Sequence, residues 1–481
     1  MAIAMRQGAG SSLVSLAGAA LAGGGGLLIT WFAALALDAD QAGAFFTSTS
    51  LFLLLATVAK LGTPTAAVYF INRERALYDV YRHSFLPPAV CSLFASAALL
   101  VFADRFPDPD IARVLAVFLP LAVVTDILLS VTRGFHSMGP TVLVDKIGRT
   151  ALQVALLGAV AFTVRTPEAA AAAWVVPYLP ASIMAAWALH RMPSPRYDAA
   201  LPAREYWSFT GPRAAASVVQ IALQRLDIVL VAALAGLKAA ALYTVATRFL
   251  VVGQMVSGAI GQALQPRIAA NLSRPARLTA LYQESTGWII ALTWPLYLAI
   301  ALLADRYLGL FGAEYQSPEA RLTIWILVPA IMIASSCGIV DTVLAMAGKT
   351  SWQFYNVSLA LAVNTALNLA LIPSLSIVGA AVAWSAALLA KNLLPVLQLR
   401  HRGHRPWNGG TVRLMLGLLA AFALTLALGR ISPLLQDVGT LLALGLWGIM
   451  TVGYTRRTLT DSDPRRHHER KKAARHGQEL H

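Results

Sequence analysis

The chain has 481 residues, 57% of them hydrophobic and only 13% charged, with a mean hydropathy of +0.64. A soluble protein carries about 25% charged residues, and here the apolar residues gather in long runs such as 86–103, 111–130 and 289–304. A water-exposed globular fold is excluded, as is one anchor with a large soluble domain. The 38 basic residues against 23 acidic give a net charge of +15, but they form no soluble face. They lie one to four at a time in alternate connections, with a cluster in 455–481, so nucleic acid is not the partner they indicate.

Backbone inside lipid must be helical or a closed barrel, and runs without period-2 alternation are helices. At about 20 residues per span, the apolar content fills roughly 12 to 14 spans. In chain order they are 13–37, 44–71, 85–103, 113–136, 141–164, 169–190, 207–234, 240–264, 285–304, 321–346, 351–372, 377–399, 411–428 and 440–454. The first run is too long for the core of a signal peptide and is read as a retained span. Cys91 and Cys337 fall inside apolar runs and read as small core residues. The only sizeable polar segment is 455–481.

Lysine and arginine in alternate connections set the orientation. With a cytoplasmic N-terminus, 26 of them fall on the cytoplasmic side and seven on the other: Arg105, Arg113, Arg165, Lys238, Arg306, Arg321 and Arg430. The chain also repeats itself. At an offset of 198, residues 35–52 lie over 233–250; at 209, residues 120–139 lie over 329–348. Spans 1–6 correspond to spans 7–12, and both halves start on the same side. The repeat is therefore parallel, about an axis along the membrane normal. The expected organisation is an N-terminal six-helix half (1–200), a second six-helix half (201–400), two extra helices (401–454) and a basic cytoplasmic tail (455–481).

Two six-span halves, two additional spans and the junction ALALDADQAGAFF at 34–46 look like the polysaccharide flippases of the multidrug/oligosaccharidyl-lipid/polysaccharide exporter superfamily. The stretch QRLDIVLVAALAGLKAAALYTVATRF at 224–249 resembles the seventh and eighth spans of the same family. The likeness runs over roughly 10–400. It implies movement of a lipid-linked saccharide from the cytoplasmic to the outer leaflet of a bacterial cell membrane, without enzymatic chemistry or a cofactor.

A charge at mid-bilayer costs ~2.5 kcal/mol or more, so ionisable residues within spans face water or a partner. They are Lys60 in span 2, Asp126 in span 4, Arg213, Arg225 and Asp227 in span 7, Arg248 in span 8, Asp341 in span 10 and Lys391 in span 12. Counted at 1.5 Å per residue, Arg225, Asp227 and Arg248 sit ~10–14 Å below the outer surface. They are either a structural ion pair or an arginine surplus that meets an anionic substrate. Lys60 is ~16 Å from its span end, too deep for easy snorkelling; Lys391 and Arg213 lie nearer an interface. The five basic residues together suit a pyrophosphate-linked substrate, since arginine matches phosphate oxygens in a bidentate fork. Asp126 and Asp341 are candidates for ion coupling, or else partners of the basic residues. Gly23, Gly24, Gly25 and Gly26 mark a bend or close packing in span 1, with a hinge the favoured reading.

Three motifs are set aside. Gly348-Lys349-Thr350 lacks the first glycine of a phosphate loop, which would be position 343, a valine. Asp108-Pro109-Asp110 lies in a connection too short for a sugar-nucleotide site. His467-His468 belong to the basic tail and give no metal site. The expected partners are a lipid-linked saccharide, membrane lipids, and a polymerase or glycosyltransferases of the same pathway. A lipid II flippase would carry basic residues in span 1, and a cation-coupled multidrug exporter an acidic one; 13–37 has no basic residue and no acidic one. A membrane glycosyltransferase or polymerase would need a long external loop, which the spacing does not provide.

Overall fold

The computed structural model describes residues 23–192, 195, 197–401, 403–432 and 438–440, 442, 445, 447, 448 and 451. The start of span 1, most of span 14 and the basic tail lie outside these residues. Within them the chain is helical, with one isolated β-bridge between Arg75 and Ala199.

The first helices are α1 (Gly23–Ala36), α2 (Ala39–Ala59) and α3 (Thr63–Ile71). Asp38 caps α2, accepting from the Gln41 backbone while the Gln41 side chain reaches back, a reciprocal capping box. Span 2, expected as one helix, breaks between α2 and α3, where Leu61 and Gly62 take positive φ of 51° and 74°. A Cβ at Gly62 would lie 2.6 Å from the backbone nitrogen of Ala214. The break is a place where another helix comes close, which local hydropathy cannot register.

Next come α4 (Leu77–Val101), α5 (Pro109–Gly134), a π-helical turn (Thr141–Arg149) continuing into α6 (Thr150–Phe162), then α7 (Pro167–Val175) and α8 (Tyr178–His190). Asp108 caps α5 by accepting from the amides of Asp110 and Ile111; Pro109 occupies the first turn, where no amide donor is missed. The acidic pair at 108–110 is thus a helix start. Two long helices follow, α9 (Ala203–Ala235) and α10 (Leu237–Ala269), joined through Gly236 alone, at φ 95°. After them lie α11 (Pro275–Leu302), the short α12 (Ala304–Gly309), α13 (Pro318–Ser336), α14 (Val340–Met346), α15 (Thr350–Arg400) and α16 (Gly409–Gly429). Spans 11 and 12 both lie in α15. Ser376 at φ 50°, ψ −133° reverses the chain there, so that a Cβ on Gly379 would sit 2.6 Å from the Leu371 carbonyl.

Among the described residues, ten helices are long and apolar enough to cross a membrane. Their surfaces have the polarity of a lipid-embedded protein. On α4, Ser84, Ser92 and Ser96 are buried, while Leu93, Phe94 and Val101 are exposed, Phe94 at 73%. Ser96 donates to the Ala116 carbonyl of α5 at 2.7 Å. Small residues inside and large apolar ones outside is how helices pack when the solvent is itself apolar. This is an all-α, multi-pass membrane protein.

The repeat offsets carry joints onto joints. An offset of 198 takes Asp38, between α1 and α2, onto Gly236, between α9 and α10. An offset of 209 takes Pro109, the start of α5, onto Pro318, the start of α13.

By contact the chain divides into two compact units interleaved in sequence: 1–255, 303–331 and 349–394 in one, and 256–302, 332–348 and 395–481 in the other. In the first, α5 is central and packs against α2, α3, α4, α7 and α8, while α2 also packs along α9. Phe52 of α2 meets Trp174 edge-on at 5.4 Å. In the second, α11 packs on α16, and Tyr282 and Trp294 of α11 donate to the Cys337 and Met332 carbonyls at 2.7 and 3.2 Å.

Candidate functional site

Two groups of ionisable residues stand within the spanning helices of the first unit. Lys60 stands at the C-terminal end of α2, beside the break, and its Nζ donates to Asp126 Oδ2 of α5 at 2.6 Å. The pair is partly open, with side chains 22% and 41% exposed. Next to it the π-turn folds Asp145 under Arg149 at 2.7 Å, and the Arg149 guanidinium lies 4.7 Å from the Tyr178 ring centre. Arg149 also reaches Gln153, which donates to the Trp174 carbonyl at 2.7 Å. Lys146 and Arg149 lie near the start of span 5, where an interfacial position is the simple expectation. The π-turn instead carries Asp145 and Arg149 into the packed helices, and their i, i+4 spacing was the available signal.

In the second group, Asp227 of α9 is buried and receives two hydrogen bonds. The Tyr243 hydroxyl donates to Oδ2 at 2.8 Å, and the Ile228 amide to Oδ1 at 2.9 Å. Arg225 and Arg248 are close enough to act electrostatically on Asp227, and on each other. Neither arginine is within 4.0 Å of a carboxylate among the described residues, and the Nε of each is buried without a hydrogen-bond partner. Tyr307 is also near Arg248, and its hydroxyl donates to the Val245 carbonyl at 2.8 Å. The cluster thus holds two cations against one carboxylate whose oxygens are already bonded. Tyr243 escapes sequence reasoning because a tyrosine in an apolar run carries no charge signal, and Tyr307 because it lies in the connection between spans 9 and 10.

Arg213 stands apart from this cluster. It is exposed near the start of α9, with its guanidinium 3.5 Å from the Phe209 ring centre and Nη1 donating to the Phe209 carbonyl at 2.9 Å. Lys391 is half-buried in α15. Asp341 belongs to the other compact unit, in the first turn of α14, with its charge reaching Tyr282 and Cys337. Of the glycines, Gly23 and Gly25 are close-packed: a Cβ would meet Met255 at 1.7 Å and Thr150 at 2.2 Å, whereas Gly24 and Gly26 face open space. From Gly23 onward α1 is unbroken.

Half-buried guanidiniums that outnumber their one counter-ion, held in helices of membrane-spanning length, can bind an anion strongly in a low-dielectric setting. They offer no nucleophile or acid–base pair.

A family model described as "Polysaccharide biosynthesis protein" matches residues 88–318. No curated protein sequence matches the chain. Several solved structures do match by fold. The lipid II flippase MurJ, in an inward closed conformation, aligns over 93% of this chain and 99% of its own, at a TM-score of 0.70 and 10% identity. A multidrug resistance MATE family transporter of the MOP superfamily, inward-facing, aligns over 80% and 95%, at 0.63 and 16%. A MOP superfamily transporter from Pyrococcus furiosus aligns over 81% and 94%, at 0.57 and 15%. The chain has the fold of the MOP superfamily transporters.

Proposed function

From a MOP transporter fold whose polysaccharide-biosynthesis match spans α5 to α12, we propose a non-enzymatic flippase. It moves a polyprenyl-pyrophosphate-linked oligosaccharide from the inner to the outer leaflet of a bacterial cell membrane, for assembly of a cell-surface polysaccharide. Both termini are cytoplasmic, and the six-helix halves 1–200 and 201–400 alternate access between the leaflets. Helices in 401–454 and the tail 455–481 stand outside that exchange.

The carrying observation is the pair Arg225 and Arg248, half-buried with each Nε buried and unbonded, beside an Asp227 whose oxygens are taken by Tyr243 and Ile228. Unpaired guanidiniums among spanning helices are costly, and a pyrophosphate passing them offsets that cost through fork-shaped hydrogen bonds. Lys60, Lys391 and Arg213 add positive charge to the route, and Asp126 and Asp341 are candidates for ion coupling. A lipid II flippase has the same headgroup logic, but 23–36 contains no basic residue.

The test replaces Arg225 and Arg248 by glutamine, singly and together, and adds Lys60→Gln. The expected outcome is loss of surface polysaccharide and accumulation of lipid-linked precursor on the inner leaflet, with the protein still in the membrane. Unchanged polymer yield in Arg248→Gln and Lys60→Gln would overturn the cationic route. Accumulation of peptidoglycan precursor instead would establish the lipid II reading.

A further inference from the structure

Three arginines converge at one end of the first compact unit, where the connections after α3 and α5 meet the start of α9. A cavity of about 660 Å³ is bounded there by Tyr69, Asn72, Arg73, Arg133, Phe209 and Arg213. Its floor is aromatic: Tyr69 and Phe209 stack at 3.8 Å between centroids, 21° from parallel. Arg213 lies over Phe209 at 3.5 Å and Arg73 over Tyr69 at 4.7 Å. A guanidinium resting on a ring face keeps its in-plane N–H groups free for an oxyanion. Asn72 fixes the frame by donating to the Val68 and Gly134 carbonyls at 2.8 and 3.3 Å, tying the end of α3 to the end of α5.

The three positive charges outnumber the acidic groups near them: Asp126 acts at a distance on Arg133 and is itself bonded to Lys60. None of the three makes an ion pair among the described residues, while nearby Glu205 pairs with Arg75 and Asp79 accepts from the Leu201 amide at 2.9 Å. Like charges gathered without partners repel, and an anion removes that repulsion. The volume falls in the ~300–1,000 Å³ range of small-molecule sites.

We propose that this cavity is a docking site for a phosphate or pyrophosphate group, separate from Arg225 and Arg248. Assigning the anion to a saccharide-carrying lipid rests on the flippase reading; the oxyanion chemistry does not.

The experiment places the full chain in phosphatidylcholine nanodiscs and measures equilibrium binding of geranylgeranyl pyrophosphate and of inorganic pyrophosphate, with and without phosphatidylglycerol. Wild type should bind saturably. The triple variant Arg73→Gln/Arg133→Gln/Arg213→Gln should bind at least ~10-fold more weakly, Phe209→Leu more weakly than wild type, and Arg321→Gln, outside the cavity, as wild type. Tighter binding of the isoprenoid than of free pyrophosphate assigns the anion to a lipid, equal binding to a soluble one, and competition by phosphatidylglycerol to bilayer headgroups. No saturable binding by wild type, or unaltered binding by a folded triple variant, overturns the site. If the triple variant misfolds, the exposed Arg213→Gln carries the test alone, with Arg213→Lys expected to restore binding only in part. Saturable binding without flipping of any lipid-linked saccharide in proteoliposomes would sink the flippase reading and leave the site. Flipping alongside unaltered binding in the triple variant would do the reverse.

Discussion

At the scale of single residues, what matters is which charges have partners. Lys60 and Asp126 satisfy each other at 2.6 Å, and the pair is open enough that its net stabilisation is about 1 kcal/mol or less. If the pair serves ion coupling, as proposed, protonating Asp126 would release Lys60. Asp126→Asn imitates the protonated form and should stop flipping in proteoliposomes while leaving substrate binding intact; Lys60→Gln should weaken binding itself. A wild-type flipping rate that ignores both an imposed pH gradient and a membrane potential would remove the coupling role. The sequence marks each of these residues because a charge in an apolar run is conspicuous. It does not show that Lys60 belongs with Asp126, 66 residues away, since pairing is a property of packing. The same limit hides Tyr243, whose hydroxyl takes one oxygen of Asp227.

At the scale of elements, hydropathy placed the helices well and their interruptions poorly. α4, α5 and α9 fall where the apolar runs predict, because burial in lipid is decided locally. The break at Leu61 and Gly62 lies where the Ala214 backbone comes close and is not written in composition, whereas the turn at Ser376 falls in the gap between the runs 351–372 and 377–399. Glycines show the contrast best. Gly43, the fifth residue of α2, lies against the α9–α10 joint, where a Cβ would stand 1.9 Å from the Leu237 carbonyl oxygen. Gly43→Ala should therefore lower stability by about 1–3 kcal/mol, read as a fall in Tm in detergent. Gly24 has nothing within 4 Å, so Gly24→Ala should raise stability, by up to ~1 kcal/mol. If the glycine run is a hinge, that gain comes with slower flipping; a more stable variant with wild-type flipping would reduce 23–26 to close packing.

For the whole molecule, the bias in basic residues predicts the orientation. The connection containing α12 carries Asp305 and Arg321 paired at 3.0 Å, on the side the bias makes external. Alkaline phosphatase fused within 305–319 should be active, and fused after Glu479 it should be inactive. The reverse pattern would invert the topology.

The interleaving of the two compact units bears on how the protein is made. Leu223 packs against Val357, Ala360 and Ala387, so part of the first unit waits for chain that emerges much later. At ~5–20 residues per second of synthesis, that wait is roughly 10–30 s. Through that interval a helix carrying Arg225 and Asp227 has α2 beside it but lacks the face of α15 that Leu223 packs against. The nascent chain is then a substrate for membrane proteases and insertion chaperones, and a ribosome stalled before residue 387 should leave a fragment that is degraded.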